Sequence, residues 1–304
     1  MNILITGGNG YIGQYLANYF SGENVYITAR IPKRENERRM ILEEEDTIDG
    51  ICEDIDVVIH TASMDERVIS QESKKALLVN AYGTRKLYLD ALTYHVKKFF
   101  YLSTFHVYGK VTEQIVTEES ATEPMSDYGL THLFAEQYLR QLHLHKEHEM
   151  CTFILRLTNG VGLPGFGVDK WYLAFNDFCR SAVREKRIVL KSNGLPRRDF
   201  IAIPDICTAV DALMRVENDF EVYNVSSQNT FSIREIALMV KRVYEKMTGL
   251  EVELIMPAAT AEEIERVKDF TVSSRKLRMS GWKSEESIEK TIEKILEAEL
   301  EGYR

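Results

Sequence analysis

Tyr128 and His132 stand four residues apart in the segment YGLTH (128–132). On a helix, side chains with this spacing lie on the same face, one turn apart. A phenol beside a nitrogen base can pass a proton to or from a substrate. The pair therefore indicates proton-transfer chemistry, with plain packing of the two side chains as the alternative interpretation.

A second chemical signal is the glycine-rich segment TGGNGYIG (6–13), which lies between a strand-like run and a helical one. Its glycines fit both G-x-G-x-x-G and G-x-x-G-x-x-G. Glycines let the backbone approach a pyrophosphate, and the N–H groups at the start of the following helix attract the anion. The segment predicts a dinucleotide-binding loop, whose cofactor-binding residues would be Gly7, Gly10, Tyr11, Ile12 and Gly13.

The end of the second strand indicates which dinucleotide binds. An Asp or Glu there would bind the adenosine ribose hydroxyls of NAD, whereas an Arg suits the extra phosphate of NADP. Thr28 or Ala29 occupies the acidic position, Arg30 follows, and Lys33 and Arg34 are close behind. We therefore expect NADP(H), with NAD(H) as the open alternative and Arg30 as a cofactor-binding residue.

Alternating strands and helices would position these residues. Strand-like runs occur at 2–6, 24–29, 56–61, 97–104 and 152–158, and helical periodicity occurs at 11–21, 74–94 and 126–148. This alternation predicts an α/β fold with a doubly wound parallel Rossmann sheet. The less regular second half predicts a smaller C-terminal α/β substrate lobe.

The predicted domain boundaries follow from this reading. We expect a dinucleotide-binding domain made of residues 1–158 plus about 200–228. The substrate-binding lobe would contain about 159–199 and 229–304.

Composition excludes several other classes of function. The chain has 304 residues and a net charge of −9, which argues against a general nucleic-acid or anionic-membrane binder. Four scattered cysteines without a CxxC pair suggest neither a metal site nor a disulfide framework. We find no basic leader and no apolar stretch of about 18 residues. These features predict a cytoplasmic protein.

Several segments in order carry a family resemblance. TGGNGYIG, LSTFHVYG (102–109) and YGLTH resemble motifs of the extended short-chain dehydrogenase/reductase family, which contains NAD(P)-dependent nucleotide-sugar epimerases, dehydratases and reductases. The likeness covers nearly the whole chain. Its other segments are DVVIHTAS (56–63), NAYGTRKL (80–87), LRLTNGVGLPG (155–165), RRDFIAIPD (197–205) and SGWKSEESIEKTI (280–292).

The resemblance implies a catalytic set of Thr104, Tyr128 and a third position, which here holds His132 where the family has Lys. In the family the Tyr and the Lys also contact the cofactor. A lysine stays charged at pH 7 and favours the phenolate, whereas an imidazole of ordinary pKa is charged about a quarter of the time. Three hypotheses follow: His132 is a weaker substitute, it packs passively beside Tyr128, or the site is degenerate.

The resemblance also implies further contact residues. The additional cofactor-binding residues would be Thr61, Ala62 and Asn80. The substrate-binding residues would be Thr104, His106, Asn159, Arg198 and Arg266, with Arg266 placed more loosely than the others.

The family's dehydratases carry an Asp–Glu pair where this chain has Phe105 and His106, so dehydration is disfavoured. We expect a reductase that uses NADPH to reduce a keto group on a nucleotide-activated deoxysugar, with Tyr128 as proton donor. An NAD-dependent epimerase and a non-catalytic, NADP(H)-sensing protein are the alternatives. The family's dimers predict a homodimer in which helices 74–94 and 126–148 of two subunits form a four-helix bundle.

Overall fold

The structure, a computed structural model, describes residues 1–146 and 149–302. Its strands are β1 (Asn2–Thr6), β2 (Asn24–Ala29), β3 (Glu37–Arg39), β4 (Val57–His60), β5 (Lys98–Thr104), β6 (Ile115–Val116), β7 (Cys151–Leu157), β8 (Asn159–Val161), β9 (Arg187–Val189), β10 (Arg197–Ala202), β11 (Phe220–Val225), β12 (Thr230–Ser232), β13 (Glu253–Ile255) and β14 (Thr271–Val272).

The helices alternate with these strands along the chain. They are α1 (Tyr11–Tyr19), α2 (Glu66–Ile69), α3 (Ser73–Ala76), α4 (Thr84–Thr93), α5 (Asp127–Leu144), α6 (Ala174–Glu185), α7 (Ile203–Leu213), α8 (Ile233–Thr248), α9 (Ala261–Glu265), α10 (Arg275–Arg278) and α11 (Ile288–Leu300). A π-helical turn, Leu77–Gly83, joins α3 to α4. None of the described helices is both long and apolar enough to cross a lipid bilayer.

Seven strands form one large sheet in the order β11-β7-β5-β4-β1-β2-β3, and every neighbouring pair is parallel. A parallel sheet needs apolar cover on both faces. One apolar core packs α1 and α7 against the sheet, and a second packs α4 and α5 against its other face. The predicted α/β fold with a doubly wound parallel sheet is confirmed.

The order of the strands creates a cleft. The chain runs from β1 outward to β3, then crosses back to β4 on the other side of β1. In open parallel sheets, a crevice forms outside the carboxyl ends of the strands at such a point. A cleft of about 1450 Å³, which we call the main cleft, lies there between the segments that follow β1, β2 and β4.

The C-terminal half has its own apolar core, which contains side chains of α6, α8 and α11. Strands β8, β10 and β12 form a small sheet beside it, and β9 pairs with β13. The loop between β8 and α6 reaches back to the main cleft and contributes the wall formed by residues 166–173. This half of the chain therefore closes one side of the cleft.

Three elements differ from the sequence prediction. Helix α5 begins after Ser126, whose Oγ accepts the Gly129 N–H at 3.3 Å. It ends at Leu144, before the predicted end at residue 148, and positions 147 and 148 lie outside the described residues. The predicted helix 74–94 contains the π-helical turn, and β11, the last strand of the large sheet, was not predicted.

Candidate active site

The loop after β1 has the geometry of a phosphate-binding turn. Gly7 adopts φ = +67°, a conformation that side chains other than hydrogen disfavour, and its carbonyl accepts the Gly10 N–H at 2.7 Å. A Cβ on Gly13 would lie 2.1 Å from the Gly7 oxygen, so only glycine lets α1 pack this closely. Helix α1 then directs its N-terminus at the main cleft, where backbone N–H groups favour an anion.

Four other predicted cofactor contacts line the same cleft. Tyr11 and Ile12 line it, and the Tyr11 hydroxyl donates to the Gly162 carbonyl at 2.6 Å. Thr61 and Ala62 form the opposite wall, where the Thr61 hydroxyl donates to the Thr6 carbonyl at 2.7 Å. The structure therefore brings these four side chains to one cavity.

Tyr128 lines the main cleft, and its phenol forms a hydrogen bond with Thr104 at the end of β5. Burial raises the pKa of Tyr128 to about 12, and the carboxylate of Glu66 adds to the rise, whereas the bond with Thr104 opposes it. The phenol is therefore protonated throughout the neutral range. In this state the phenol has a proton to give, but its raised pKa makes it a weaker acid than an ordinary tyrosine.

His132 is 2% exposed and lies one turn further along α5. Its ring meets the Tyr128 ring edge to face, with the centroids 4.7 Å apart. Burial lowers the pKa of His132 to about 3, and nearby His106 adds to the effect. The expectation that this imidazole is charged about a quarter of the time at pH 7 is therefore wrong, because the fold keeps it neutral.

The two ring nitrogens of His132 have different surroundings. Nδ1 lies 2.7 Å from the Tyr101 hydroxyl. Nε2 is buried and has no hydrogen-bond partner within residues 1–146 and 149–302. An unpaired buried polar atom next to the tyrosine of a cleft is the feature expected where a ligand completes the site.

His106 follows Thr104 and contacts Tyr128, with the two ring centroids 5.6 Å apart. Its ring is open to solvent on one side, yet the surrounding protein atoms lower its pKa. The charge of Arg198 acts in the same direction, and that of Glu66 opposes it. Arg198, predicted to hold substrate, is exposed close to His106.

The remaining predicted contacts lie differently. Asn80 is buried in the π-helical turn, and its amide is used internally, since it accepts the Met64 N–H at 2.8 Å and donates to Thr131 at 3.1 Å. Asn159 donates to the Asp199 carbonyl at 2.8 Å. Neither of these two asparagines lines the main cleft among the described residues.

Arg266 is the predicted substrate contact with the least support. It is exposed at the end of α9 and pairs with Glu262 on the same helix. It does not line the main cleft in the part of the chain that the structure describes. Arg266 therefore lies in an ion pair on the surface.

The adenosine end of the cleft carries charges of both signs. Arg30, Lys33 and Arg34 line it, and Arg30 Nη2 lies 3.7 Å from the Glu43 carboxylate. Glu37 at the start of β3 also lines it, with only 4% of its side chain exposed. Glu37 was not predicted from the sequence, because an acid that binds the ribose was expected at the end of β2.

A second missed group spans the mouth of the cleft. Lys170 Nζ and the Tyr172 hydroxyl both donate to Asp65 Oδ2 at 2.6 Å, and the Arg67 guanidinium lies 3.2 Å from the centre of the Tyr172 ring. Burial raises the pKa of Asp65, but these bonds outweigh it and hold the pKa below its ordinary value. No local motif identifies these residues, which come from segments a hundred residues apart in sequence.

A nicotinamide dinucleotide fits these features. The close approach of Gly7 to Gly13 leaves backbone N–H groups for its phosphates, and the cleft is large enough for an extended dinucleotide. The unpaired Nε2 of His132 lies beside the ring of Tyr128, and Tyr128 lines the same cleft as Glu37. The glycine loop, Glu37 and Tyr128 thus line one cavity.

Several known proteins have sequences similar to this chain. The family model described as "NAD dependent epimerase/dehydratase family" matches residues 3–226. Among curated proteins, the low-salt glycan biosynthesis protein Agl12 of Haloferax volcanii is 25% identical over an alignment of 313 residues, which covers 96% of each chain.

Solved structures share the fold. UDP-glucose 4-epimerase from Thermotoga maritima, with UDP-glucose, matches with a TM-score of 0.84 and 21% identity over 100% of each chain. RMD from Pseudomonas aeruginosa, complexed with NADPH, matches with a TM-score of 0.81 and 23% identity over 99% of each chain.

Proposed function

Because the chain belongs to the NAD-dependent epimerase/dehydratase family, we propose that it is an NADP(H)-dependent reductase of a keto group on a nucleotide-activated deoxysugar. The family match confirms the resemblance identified from the sequence motifs. The observation that carries the proposal is the protonated phenol of Tyr128, which bonds to Thr104 at the cleft. Reduction of a ketone needs such a proton donor, because its oxygen gains negative charge as hydride arrives.

The protein's own residues would act as follows. NADPH, when bound, would be the source of the hydride. Tyr128 donates its proton to the carbonyl oxygen, which gives the alcohol, and the Thr104 hydroxyl holds that oxygen by a hydrogen bond. His132 remains neutral and contributes hydrogen bonding rather than charge. Asn159 and Arg198 are the proposed contacts of the substrate's sugar and diphosphate.

The cofactor preference rests on the cations at the adenosine end. Lys33 and Arg34 line the cleft beside Arg30, and their charges suit the 2′-phosphate of NADP(H). Glu37 favours the free hydroxyls of NAD(H) instead. Titration of the purified protein with NADPH and NADH decides between them, and tighter binding of NADH would overturn the NADP(H) assignment.

The reductase is tested with the keto sugar nucleotide that a dTDP-glucose 4,6-dehydratase releases. The purified protein and NADPH are added, and the loss of the reduced nicotinamide absorbance is followed. We expect turnover in the wild type and a loss of about 10²–10⁴-fold in Tyr128→Phe, the usual size of a general-acid contribution. Binding of NADPH without its oxidation by this substrate or by its UDP and GDP counterparts would reject the reductase and favour the cofactor-sensing alternative.

An epimerase is the second candidate, because the UDP-glucose 4-epimerase fold covers the whole chain. That reaction would require Tyr128 to accept a proton in its oxidising half. The phenol of Tyr128, whose pKa is raised, would first have to lose its own proton. A protein that is purified with bound NAD and inverts a carbon of UDP-glucose without net cofactor turnover would establish the epimerase instead.

The domain boundaries and the dimer belong to the same proposal. Residues 1–158 plus about 200–228 would bind the dinucleotide, and about 159–199 with 229–304 would bind the sugar nucleotide.

Leu78, Tyr82 and Phe134 are each about 40% exposed on the π-helical turn and on α5, which suits a four-helix dimer interface. Sedimentation analysis of Phe134→Glu tests the dimer, since a charge there would give monomers. A cytoplasmic location accords with the four unpaired cysteines.

A further inference from the structure

Tyr101 and His132 form a buried pair beneath the candidate active site. Both side chains are 2% exposed. The Tyr101 hydroxyl lies 2.7 Å from His132 Nδ1, and the two rings stack with centroids 5.8 Å apart. Tyr101 comes from β5 of the large sheet, so the pair ties the helix that carries Tyr128 to a rigid element.

The direction of this hydrogen bond follows from the surroundings. Burial raises the pKa of Tyr101 well above its ordinary value, so the phenol keeps its proton. Among the described residues, His132 Nδ1 is the acceptor that this hydroxyl reaches. A neutral imidazole has one donor nitrogen and one acceptor nitrogen. Since Nδ1 accepts from Tyr101, the ring proton must lie on Nε2.

The Nε2–H donor is then left without a partner. Nε2 is buried and unbonded within residues 1–146 and 149–302, although the ring touches Tyr128, which lines the main cleft. A buried donor without an acceptor costs free energy, so proteins rarely retain one without a function. A ligand oxygen in the cleft would satisfy it.

We propose that Tyr101 is a positioning residue, which donates to Nδ1 of His132, holds the ring proton on Nε2 and so presents His132 as a neutral hydrogen-bond donor to a hydroxyl of the bound nicotinamide dinucleotide. The inference rests on the proposed use of such a cofactor. It explains how an uncharged residue can serve at this position, because a fixed donor replaces the missing ammonium.

The tautomer is measured directly in the free protein. Long-range ¹H–¹⁵N spectra of protein labelled on histidine distinguish an Nε2–H imidazole from an Nδ1–H one, and loss of a signal in His132→Gln assigns it. We expect the Nε2–H form in the wild type and a mixture of both neutral forms in Tyr101→Phe. An Nδ1–H or a cationic ring in the wild type would overturn the proposal, whatever the enzyme's activity.

Cofactor binding is the second readout. We expect Tyr101→Phe to weaken NADPH or NADH, whichever binds the wild type, by about five- to tenfold, the scale of one hydrogen bond. Tyr88→Phe is the matched control, because buried Tyr88 likewise lies 3.0 Å from a histidine, His143, away from the cleft. Equal affinities in Tyr101→Phe and the wild type would reject the positioning role.

A variant that fails to fold does not end the test. Addition of NADP⁺ or NAD⁺ to labelled wild type must then shift the His132 Nε2 signal while the ring stays in the Nε2–H form. An unchanged signal at saturating cofactor would overturn the proposal. Wild type that shows this shift but reduces no keto sugar would reject the reductase alone.

Discussion

Lys170 Nζ lies 2.6 Å from Asp65 Oδ2, and this ion pair joins opposite sides of the main cleft. Asp65 belongs to the segment after β4, whereas Lys170 lies in the loop before α6. The Tyr172 hydroxyl donates to the same carboxylate oxygen at 2.6 Å. The three side chains therefore bridge the cleft, where they would lie across the path of a departing dinucleotide.

Lys170→Met should speed the release of the cofactor, because it removes the charged side of this bridge while keeping the length of the side chain. We expect the dissociation rate to rise by about three- to tenfold, the scale of one partly exposed charged hydrogen bond. Stopped-flow displacement of NADPH measures it. Lys146→Met is the control, because it breaks the ion pair with Asp219 away from the cleft. Equal release rates in Lys170→Met and the wild type would contradict this role of the bridge.

The pH dependence of keto reduction should follow the ionisation of the Tyr128 phenol. The reaction needs the protonated phenol, whose pKa is raised to about 12, so the rate should stay flat well into the alkaline range. In His132→Lys, an ammonium next to the phenol favours the phenolate and lowers that pKa. The alkaline fall in kcat should therefore move to lower pH by about one unit or more.

His132→Gln is the matched variant for this measurement, because it keeps a neutral donor and adds no charge. Its alkaline limb should coincide with that of the wild type. The profile of kcat against pH separates the variants. Identical profiles for the Lys and Gln variants would show that the charge at position 132 does not reach Tyr128.

These features show what a sequence can and cannot predict about the site. The glycine loop, Thr104 and Tyr128 follow from local spacing between a strand and a helix. The protonation state of His132 does not, because its pKa depends on burial by β5 and α5 together. Sequence reasoning used the ordinary pKa of histidine and therefore assigned it too much charge.

Arg156, in the family-like segment LRLTNGVGLPG, illustrates the same limit. Its guanidinium lies 2.7 Å from Glu136 Oε2, and both side chains are buried. Arg156 also donates to the Tyr108 hydroxyl at 3.0 Å. The Ser103 hydroxyl donates to Glu136 at 2.5 Å. The motif marks the strand and the following loop, but the partner of its Arg comes from α5 and is visible only after folding.

The position of Glu37 in the cleft could not be predicted from the sequence for a similar reason. This position leads to a prediction about the choice between NADPH and NADH. The segment between β2 and β3 has no periodicity, yet its fold brings Glu37 to the adenosine end of the cleft, where the Lys33 N–H and the Asn9 amide donate to it. These bonds, the Lys33 N–H first, lower the pKa of Glu37, so it is anionic. An anion there repels a 2′-phosphate and accepts a ribose hydroxyl.

Glu37→Gln should therefore strengthen NADPH binding and weaken NADH binding, which changes the ratio of the two dissociation constants by about tenfold or more. Fluorescence titration with both cofactors measures the ratio. Glu35→Gln is the control, because Glu35 is exposed in the same segment and does not line the cleft. A ratio that changes equally in both variants would exclude a specific role for Glu37.

The free energy of unfolding should fall as pH rises, because the buried carboxyl of Asp199 resists ionisation. It is 2% exposed, and burial raises its pKa to about 7, although bonds from Thr158 and Ser226 oppose the rise. Unfolded Asp titrates near pH 4, so between about pH 4 and 7 the folded chain holds a proton that the unfolded chain releases. The stability from this group is present below that window and is lost as pH rises through it.

Asp199→Asn should remove this loss, because its side chain stays neutral at every pH in the window. The free energy of unfolding of the variant, relative to the wild type, should therefore increase from about pH 5 to about pH 7 in urea titrations. Asp219→Asn is a control of opposite sign, because bonds from Lys146 and His143 lower the pKa of exposed Asp219. That variant should lose stability relative to the wild type below about pH 4, as pH rises from the lowered folded pKa towards the unfolded value, and the difference should stay constant between about pH 5 and 7. A constant difference between Asp199→Asn and the wild type would show that Asp199 ionises in the folded protein as it does in the unfolded chain.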